Sequence, residues 1–386
     1  MPTQGDIAAP SVPLPFAMLA EITHRCPLRC VYCSNPLKLT HPQNELPATH
    51  WLRIFEEARA LGVVQLHLSG GEPLVRPDLE VLVRRARELD FYINLITSGA
   101  NLTPARAQAL AAAGLDNVQL SLQAATLDLN NALGGRRSFE GKQRAAAAVR
   151  EAGMAFGMNV VLHRLNLHQV EEVIDLCASW GCERLELANT QYHGWALLNR
   201  GKLLPTREQL LRAEGACERK KAALKGKMEI IWVLSDYYEP FPKPCMGGWG
   251  QIHMTVCPDG VVLPCPGASV IKSIRFETAC DHSLNWIWHE SAVFNKFRGF
   301  DWMPEPCRNC NRRFQDFGGC RCQAYALTGD AARTDPVCQW APDHKLVESA
   351  VTLANQGEAH PGACSGALAR NDESVHLIYR QLRADS

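Results

Sequence analysis

The chain lacks an excess of either charge: forty basic side chains are balanced by forty acidic ones across 386 residues. That balance offers no electrostatic footprint for a nucleic-acid backbone, although a local basic patch is compatible with it. No apolar run approaches the ~20 residues that span a bilayer. A secretory leader is missing too, because Met1 to Pro15 is a short tail containing Pro and Ala, without a charged region, an apolar core and a cleavage site. These absences predict a cytosolic protein with no nucleic-acid partner and no membrane association. Cysteine is absent between Cys33 and Cys177, yet the chain has sixteen, with three before residue 40 and eight between Cys245 and Cys322. In a reducing compartment such crowding points to metal rather than to disulfides.

The first group, Cys26, Cys30 and Cys33, has C-x3-C-x2-C spacing within Arg25-Cys-Pro-Leu-Arg-Cys-Val-Tyr-Cys-Ser34. Iron-sulfur clusters take one cysteine thiolate per iron, so three cysteines on one loop hold three corners of a four-iron cube and leave one iron exposed to chelate a ligand. Zinc is the plainer alternative. A structural zinc site wants four ligands, and the nearest extra one here is His24.

With 46% hydrophobic residues the chain has an ordinary globular composition, and it is long enough for two or more domains. Apolar spacing predicts strands at Phe16 to Ile22, Val63 to Leu68, Phe91 to Thr97, Asn117 to Gln123, Ala155 to Leu162 and Arg184 to Ala188. Helices are predicted between them at Trp51 to Leu61, Leu79 to Leu89, Pro104 to Ala113, Phe139 to Ala152 and Leu167 to Trp180. Strand-helix alternation implies an α/β fold with a parallel sheet, and in closed or partly closed barrels the chemistry gathers where strands end. Ser69-Gly-Gly-Glu-Pro73 falls on such an end, where two glycines let the backbone approach a ligand and present its amides, or merely make a turn.

The cysteine triplet after a first strand resembles the radical S-adenosylmethionine (SAM) superfamily. The resemblance implies a partial (β/α)6 TIM-like barrel with a [4Fe-4S] cluster on Cys26, Cys30 and Cys33. The open iron binds the amino and carboxylate groups of SAM, and reductive cleavage yields a 5′-deoxyadenosyl radical. It also implies cofactor contacts from Gly70, Gly71, Glu72, Ser98, Ser121, Gln123, Asn159 and His163. For Ser121, Gln123, Asn159 and His163 polar capping of a strand end is the competing account.

Past residue 230 the periodicity breaks. Cys257-Pro-Asp-Gly260 and Leu263-Pro-Cys265 read as a hairpin that gathers cysteines, and Cys307-x2-Cys310, Cys320, Cys322 and Cys338 follow. This region resembles the SPASM extension of peptide-modifying radical SAM enzymes, which holds two auxiliary iron-sulfur clusters. The expected layout is a tail at 1–15, a barrel at 16–228, a cysteine-rich domain at 229–350 and a tail at 351–386, the last as two short helices around a flexible link. A typical SPASM run is C-x2-C-x5-C-x3-C, but Asp316 stands in the third position. A carboxylate is a harder ligand than a thiolate and should alter the cluster's lability and potential.

Asp316 in that slot resembles one subgroup, the enzymes that cross-link a precursor peptide in pyrroloquinoline quinone (PQQ) biosynthesis. So do Cys33-Ser-Asn-Pro-Leu37, the segment from Leu187 to Arg200, and Cys245-Met-Gly-Gly-Trp-Gly250, and the matches run from about residue 16 to 345. The subgroup implies one auxiliary cluster on Cys307, Cys310, Asp316 and Cys338, and another on Cys245, Cys265, Cys320 and Cys322. It implies joining of a Glu γ-carbon to a Tyr ring carbon within the peptide PqqA. A small peptide chaperone, PqqD, and an electron donor such as flavodoxin are the further partners it suggests. Candidates for the base that takes the ring proton are Asp316 and His193. Cys257 could compete as a ligand or fill apolar space; Cys177, Cys182, Cys217, Cys280 and Cys364 are expected to be small buried hydrophobes. Two departures from the subgroup, Leu122 and Ala124 around Gln123 and His193 in place of Tyr, bear on the substrate pocket. Another SPASM peptide maturase and a zinc-binding structural module are the alternatives.

Overall fold

A computed structural model describes residues 12–233, 236–356 and 377–382. The six expected strands are present as β1 Ala17–Thr23, β2 Gln65–Gly70, β3 Tyr92–Thr97, β4 Asn117–Leu122, β5 Ala155–Leu162 and β6 Arg184–Asn189. They run parallel, each beside its sequence neighbour. A seventh, β7 Glu229–Val233, adds parallel to β6, so the sheet does not end at the boundary expected at 228. At the opposite end β8 His253–Val256 pairs parallel with β1 and antiparallel with β9 Val262–Leu263. The expected hairpin is therefore the far edge of the same nine-stranded sheet.

The crossover helices share one stripe. In α1 Ala48–Ala60 the buried residues are Trp51, Ile54, Phe55 and Ala58, and in α2 Leu79–Glu88 they are Leu79, Leu82, Val83 and Ala86. This i, i+3, i+4, i+7 spacing puts four side chains on one face, and each large apolar side chain contributes about 1.5–3 kcal/mol when buried. α3 Pro104–Ala113 buries Ala107 and Leu110, and α6 Val170–Ser179 repeats the full pattern with Val170, Val173, Ile174 and Cys177. The α6 span predicted from Leu167 opens instead with a 3-10 turn, Leu167–Gln169. Between β4 and β5 lie two helices, α4 Leu127–Gly134 and α5 Phe139–Glu151. On α5 the stripe begins with a lysine, Lys142, ahead of Ala145, Ala146 and Val149.

On the helix-free face of the sheet polar residues alternate with the core. Asn94 bonds His67 and Asn117, and Gln119 reaches across β5 to Glu186 at 3.1 Å. The C-terminal ends of β1 to β5 converge on one rim, which carries the residues the sequence singled out. In the tail, a helix spans Lys345–Gln356. Residues 377–382 are not helical; the rest of the stretch in which the link and a second short helix are expected, 357–376 and 383–386 with Cys364, lies outside the described residues.

Candidate active site and metal-binding groups

The loop after β1 is held from three sides. Glu45 accepts from Thr23 Oγ1 at 2.6 Å and His24 N at 2.9 Å, fixing the turn out of the strand. The end of α4 accepts from below, Gly134 O from Arg29 N at 2.8 Å and Leu133 O from Val31 N at 3.2 Å. Opposite, α7 Gly194–Leu198 contributes Ala196 N to Cys33 O at 3.1 Å, and Asn199 Nδ2 donates to Val31 O at 2.8 Å. Gly194 has φ +51°, and a Cβ there would lie 2.0 Å from Asn35 O, so only glycine lets α7 come this close. The Leu187 to Arg200 segment thus acts as the bed of the cysteine loop.

The Gly-Gly turn works differently from the expectation. The amides of Gly71 and Glu72 are taken by Thr23 O at 2.6 Å and Arg25 O at 2.8 Å, so they are not free to meet a ligand. A Cβ on Gly70 or Gly71 would fall 2.2–2.6 Å from carbonyls of Thr23, His24 and Arg25. The glycines are needed because β2 must dock flush against the cysteine loop. Glu72 is fully buried and its carboxylate accepts from Leu74 N at 3.0 Å, Thr97 Oγ1 at 2.6 Å, Ser98 N at 2.8 Å and Ser98 Oγ. It clamps the end of β2 to the end of β3. Glu72→Gln would keep one acceptor and turn an amide N–H₂ toward two donors. We expect it to cost about 2–4 kcal/mol, read as a lower denaturant midpoint at unchanged slope.

Lys142, which sequence reasoning passed over, ties the next two strand ends: its Nζ donates to Ser98 O at 2.9 Å and Ser121 O at 2.7 Å. Burial lowers its pKa to about 8. The legible signal was a cation at a stripe position that every other crossover helix fills with an apolar residue.

Ser121 and Asn159 are register partners on β4 and β5. Gln123 and His163 lie just past the ends of these strands and are buried. Between them and the cysteine loop stands Tyr32, missed because it sits inside the triplet. Gln123 Nε2 donates to its hydroxyl at 2.9 Å, and its ring lies 5.4 Å from that of His163. Gln123 Oε1 and His163 Nε2 are buried without a hydrogen-bond partner. A bound polar ligand would satisfy them.

Burial pushes the thiols of Cys26 and Cys30 up to about 12 and about 11, and that of Cys33 up as well. A metal bound at this loop would supply the charge that lets such thiols ionise.

His163 is held neutral by burial, with its pKa lowered to about 3 against 6.5 when unfolded. The unfolded chain therefore binds the extra proton first, and stability present above pH 6.5 is lost as pH falls. Between pH 6 and 5 this one group should remove about 1 kcal/mol, and comparing urea midpoints of wild type and His163→Gln at both pH values isolates it.

Two further groups lie beyond the barrel. Cys265 and Cys322 Sγ are 3.3 Å apart, Cys245 is hydrogen-bonded to Cys265 and Cys320, and Cys320 to Cys322. Hydrogen bonds from Cys245 and Cys322 draw Cys265 below the usual thiol range. The four expected thiols are thus one contiguous group. Cys257 does not belong to it: it is buried and hydrogen-bonded to Glu21, at the end of β1. A separate small cavity is lined by Cys307, Cys310, Asp316 and Cys338, with Thr334 and Arg312. Asp316 accepts from Gly318 N at 3.0 Å and lies 3.9 Å from Arg312, and burial raises its carboxyl above the usual range. Three thiols and a carboxylate are a donor set that suits iron. Between the groups, Arg321 is buried, donating to Ala331 O at 3.0 Å and Arg333 O at 2.7 Å.

The two candidate bases are not brought together. Asp316 faces its own cavity, whereas His193 packs against Gly267 beside Cys322, its Nδ1 buried and unpartnered. Leu122 and Ala124 are buried in apolar clusters, Ala124 beneath the cysteine loop with Val31 and Leu133. Their difference from the subgroup is therefore a matter of core packing rather than of a substrate pocket. Cys177, Cys182 and Cys217 are buried as expected, but Cys280 is exposed, near the β9 edge.

Comparison with known proteins agrees with this layout. Residues 20–177 match the radical SAM superfamily, and residues 245–311 match an iron-sulfur cluster-binding domain, SPASM. A radical SAM domain binds SAM and a four-iron cluster. Among solved structures, SuiB of Streptococcus suis with bound S-adenosylmethionine shares the fold at TM-score 0.71 and 21% identity, covering 84% of this chain and 77% of that one. The enzyme anSMEcpe with bound AdoMet gives TM-score 0.62 at 17% identity, covering 91% and 98%. Two proteins named PqqA peptide cyclase are much nearer in sequence. That of Ruegeria pomeroyi is 50% identical over 92% of this chain and 96% of its own length, and that of Streptomyces rochei is 50% identical over 91% and 96%. Half of all positions are shared over nearly the whole length, and the chain belongs to the PqqA peptide cyclase family of radical SAM enzymes with a SPASM domain.

Proposed function

We propose that this enzyme forms the Glu-Tyr carbon-carbon cross-link in the precursor peptide PqqA, the first step of PQQ biosynthesis. The observation that carries the reading is 50% identity to PqqA peptide cyclases over 96% of their length. Three donor groups at the positions such chemistry needs support it. Cys26, Cys30 and Cys33 would hold the SAM-binding cluster; Cys245, Cys265, Cys320 and Cys322 one auxiliary cluster; and Cys307, Cys310, Asp316 and Cys338 the other. When bound and reduced by one electron, cluster and SAM would supply a 5′-deoxyadenosyl radical able to remove a hydrogen from the Glu side chain.

The chain's own residues supply position and exclusion. Gln123, His163 and Tyr32 offer unsatisfied or adjustable polar atoms to the cofactor, with Ser98, Ser121 and Asn159 around them. Glu72 and Lys142 fix the rim on which those residues stand, and Gly70 and Gly71 serve by letting the rim close on the cysteine loop. Restoring the Tyr ring requires loss of one proton and one electron. The auxiliary groups suit the electron, and His193, or Asp316 if it leaves its iron, is the candidate for the proton. Cofactor enzymes divide labour in this way, the protein providing orientation and a site closed to quenching.

PqqD is the proposed carrier of the peptide, and a flavodoxin-like protein the proposed reductant. A cavity of about 660 Å³ beside Pro27 and Leu28, edged by Arg136, Arg137 and Arg144, offers positive charge to an acidic donor next to the cysteine loop. No helix among the described residues is long and apolar enough to cross a membrane, and a cytoplasmic site of action is proposed. Anaerobic incubation with PqqA, SAM and a reductant tests the function. A product lighter by two hydrogens, with the change localised to Glu and Tyr by fragmentation, is expected. A thioether or another linkage would assign the chain to a different peptide-maturing reaction.

A further inference from the structure

Residues 377–382 form a strap across the cysteine loop. Leu377 is buried in the apolar cluster of Val31 and Leu133. Asn199 clasps Ile378 at both ends of its amide, accepting from Ile378 N at 2.9 Å and donating to Ile378 O at 2.7 Å. Arg29, between the first two cysteines, donates to Arg380 O at 3.2 Å, and Tyr379 Oη donates to Ala132 O at 3.2 Å. Asn199 also holds Val31, so one side chain binds strap and loop together.

The strap delivers Arg380, which is 2% exposed. Its Nη2 donates to His24 O at 2.6 Å and its Nη1 to Gln381 O at 3.2 Å, and the guanidinium also bonds the Cys33 side chain. Nε is buried with no partner, and the Trp195 ring lies 5.8 Å away. Among the described residues no carboxylate is paired with it. A buried guanidinium without an anion is costly, and removing it from water is repaid only by a charge nearby. The side chains that feel its charge are Cys26, Cys30 and Cys33. Negative charge on those three thiols, as when they hold iron, would give Arg380 the counter-charge it lacks.

We propose that the strap is part of the cluster site and that Arg380 is a positioning residue for it. It donates to the Cys33 sulfur, and its fixed positive charge raises the reduction potential of the SAM-binding cluster. This rests on the assignment of that cluster to Cys26, Cys30 and Cys33. Hydrogen bonds and net charge around cluster sulfurs set such potentials, and a cation stabilises the reduced, more negative state.

The test is an EPR-monitored redox titration of the full-length, anaerobically reconstituted enzyme, following the signal that changes when SAM is added. Wild type is compared with Arg380→Gln and Arg380→Lys. We expect Arg380→Gln to keep its iron but to reduce at lower potential, with the reduced-to-oxidised ratio at a fixed potential falling about tenfold, which is 59 mV for one electron. Arg380→Lys should recover most of the loss. A titration of Arg380→Gln that overlays wild type, or an equal fall in both variants, overturns the proposal. If Arg380→Gln takes up no iron, the lysine variant decides: normal iron and a near-wild-type potential support the role of charge, and failure to load overturns it. A wild-type enzyme with no SAM-responsive signal would overturn the cluster assignment itself, a result distinct from any of these.

Discussion

A chain with Cys26, Cys30 and Cys33 all replaced by alanine should lose about four irons and all SAM cleavage while keeping the iron of its auxiliary groups. The separation is expected because the triplet shares no bonds with the other donor sets. Its loop is held by Glu45, the end of α4 and α7, contacts made by backbone atoms and by side chains other than the thiols. Removing the three thiols therefore leaves the loop's scaffold intact. Iron and sulfide analysis with quantification of 5′-deoxyadenosine reads both effects. Loss of all iron would mean that the clusters are interdependent, and unchanged iron would remove the triplet from the metal sites.

The converse separation is the second large effect. Replacing Cys307 and Cys310 together with alanine should leave SAM cleavage within about threefold of wild type but lower the yield of cross-linked peptide by roughly a hundredfold, about 2.7 kcal/mol. These cysteines line the Asp316 cavity, apart from the rim of Gln123 and His163, so hydrogen removal can proceed without them. Completing the cross-link requires an electron to leave the Tyr ring, and this is where an auxiliary cluster would serve. Uncoupled 5′-deoxyadenosine with little cross-link is the signature, measured by chromatography and mass spectrometry in one reaction. Equal falls in both products would place these residues in overall folding rather than in electron transfer.

Much of this was legible in the sequence, and where it was not the reasons are physical. Strand and crossover-helix positions follow from periodicity, because each helix must lay the same i, i+3, i+4, i+7 stripe on a parallel sheet. Clustered cysteines at ligand spacing announced the donor groups. Gly70 and Gly71 were legible as a special turn, but the partner of their close approach was not. Only the fold shows that carbonyls of Thr23, His24 and Arg25 occupy the space a side chain would need. Lys142 and Tyr32 were passed over because their importance lies in carbonyls and hydroxyls brought from distant strands. Arg380 is the extreme case. Its contact with His24 spans 356 positions, and no local pattern foretells a contact that only the finished fold creates.

The pairing of β1 with β8 also bears on how the protein can be made. β2 follows β1 within fifty residues, but the segment that covers the other edge of β1, His253–Val256, arrives about 230 residues after it. Until then the backbone groups that will meet β8 are an open template for pairing with another chain. A fragment stopped after β7 would carry that exposed edge permanently and is expected to aggregate more readily than the full chain. Chaperone cover during synthesis and expression of the uncut chain are what this topology asks for.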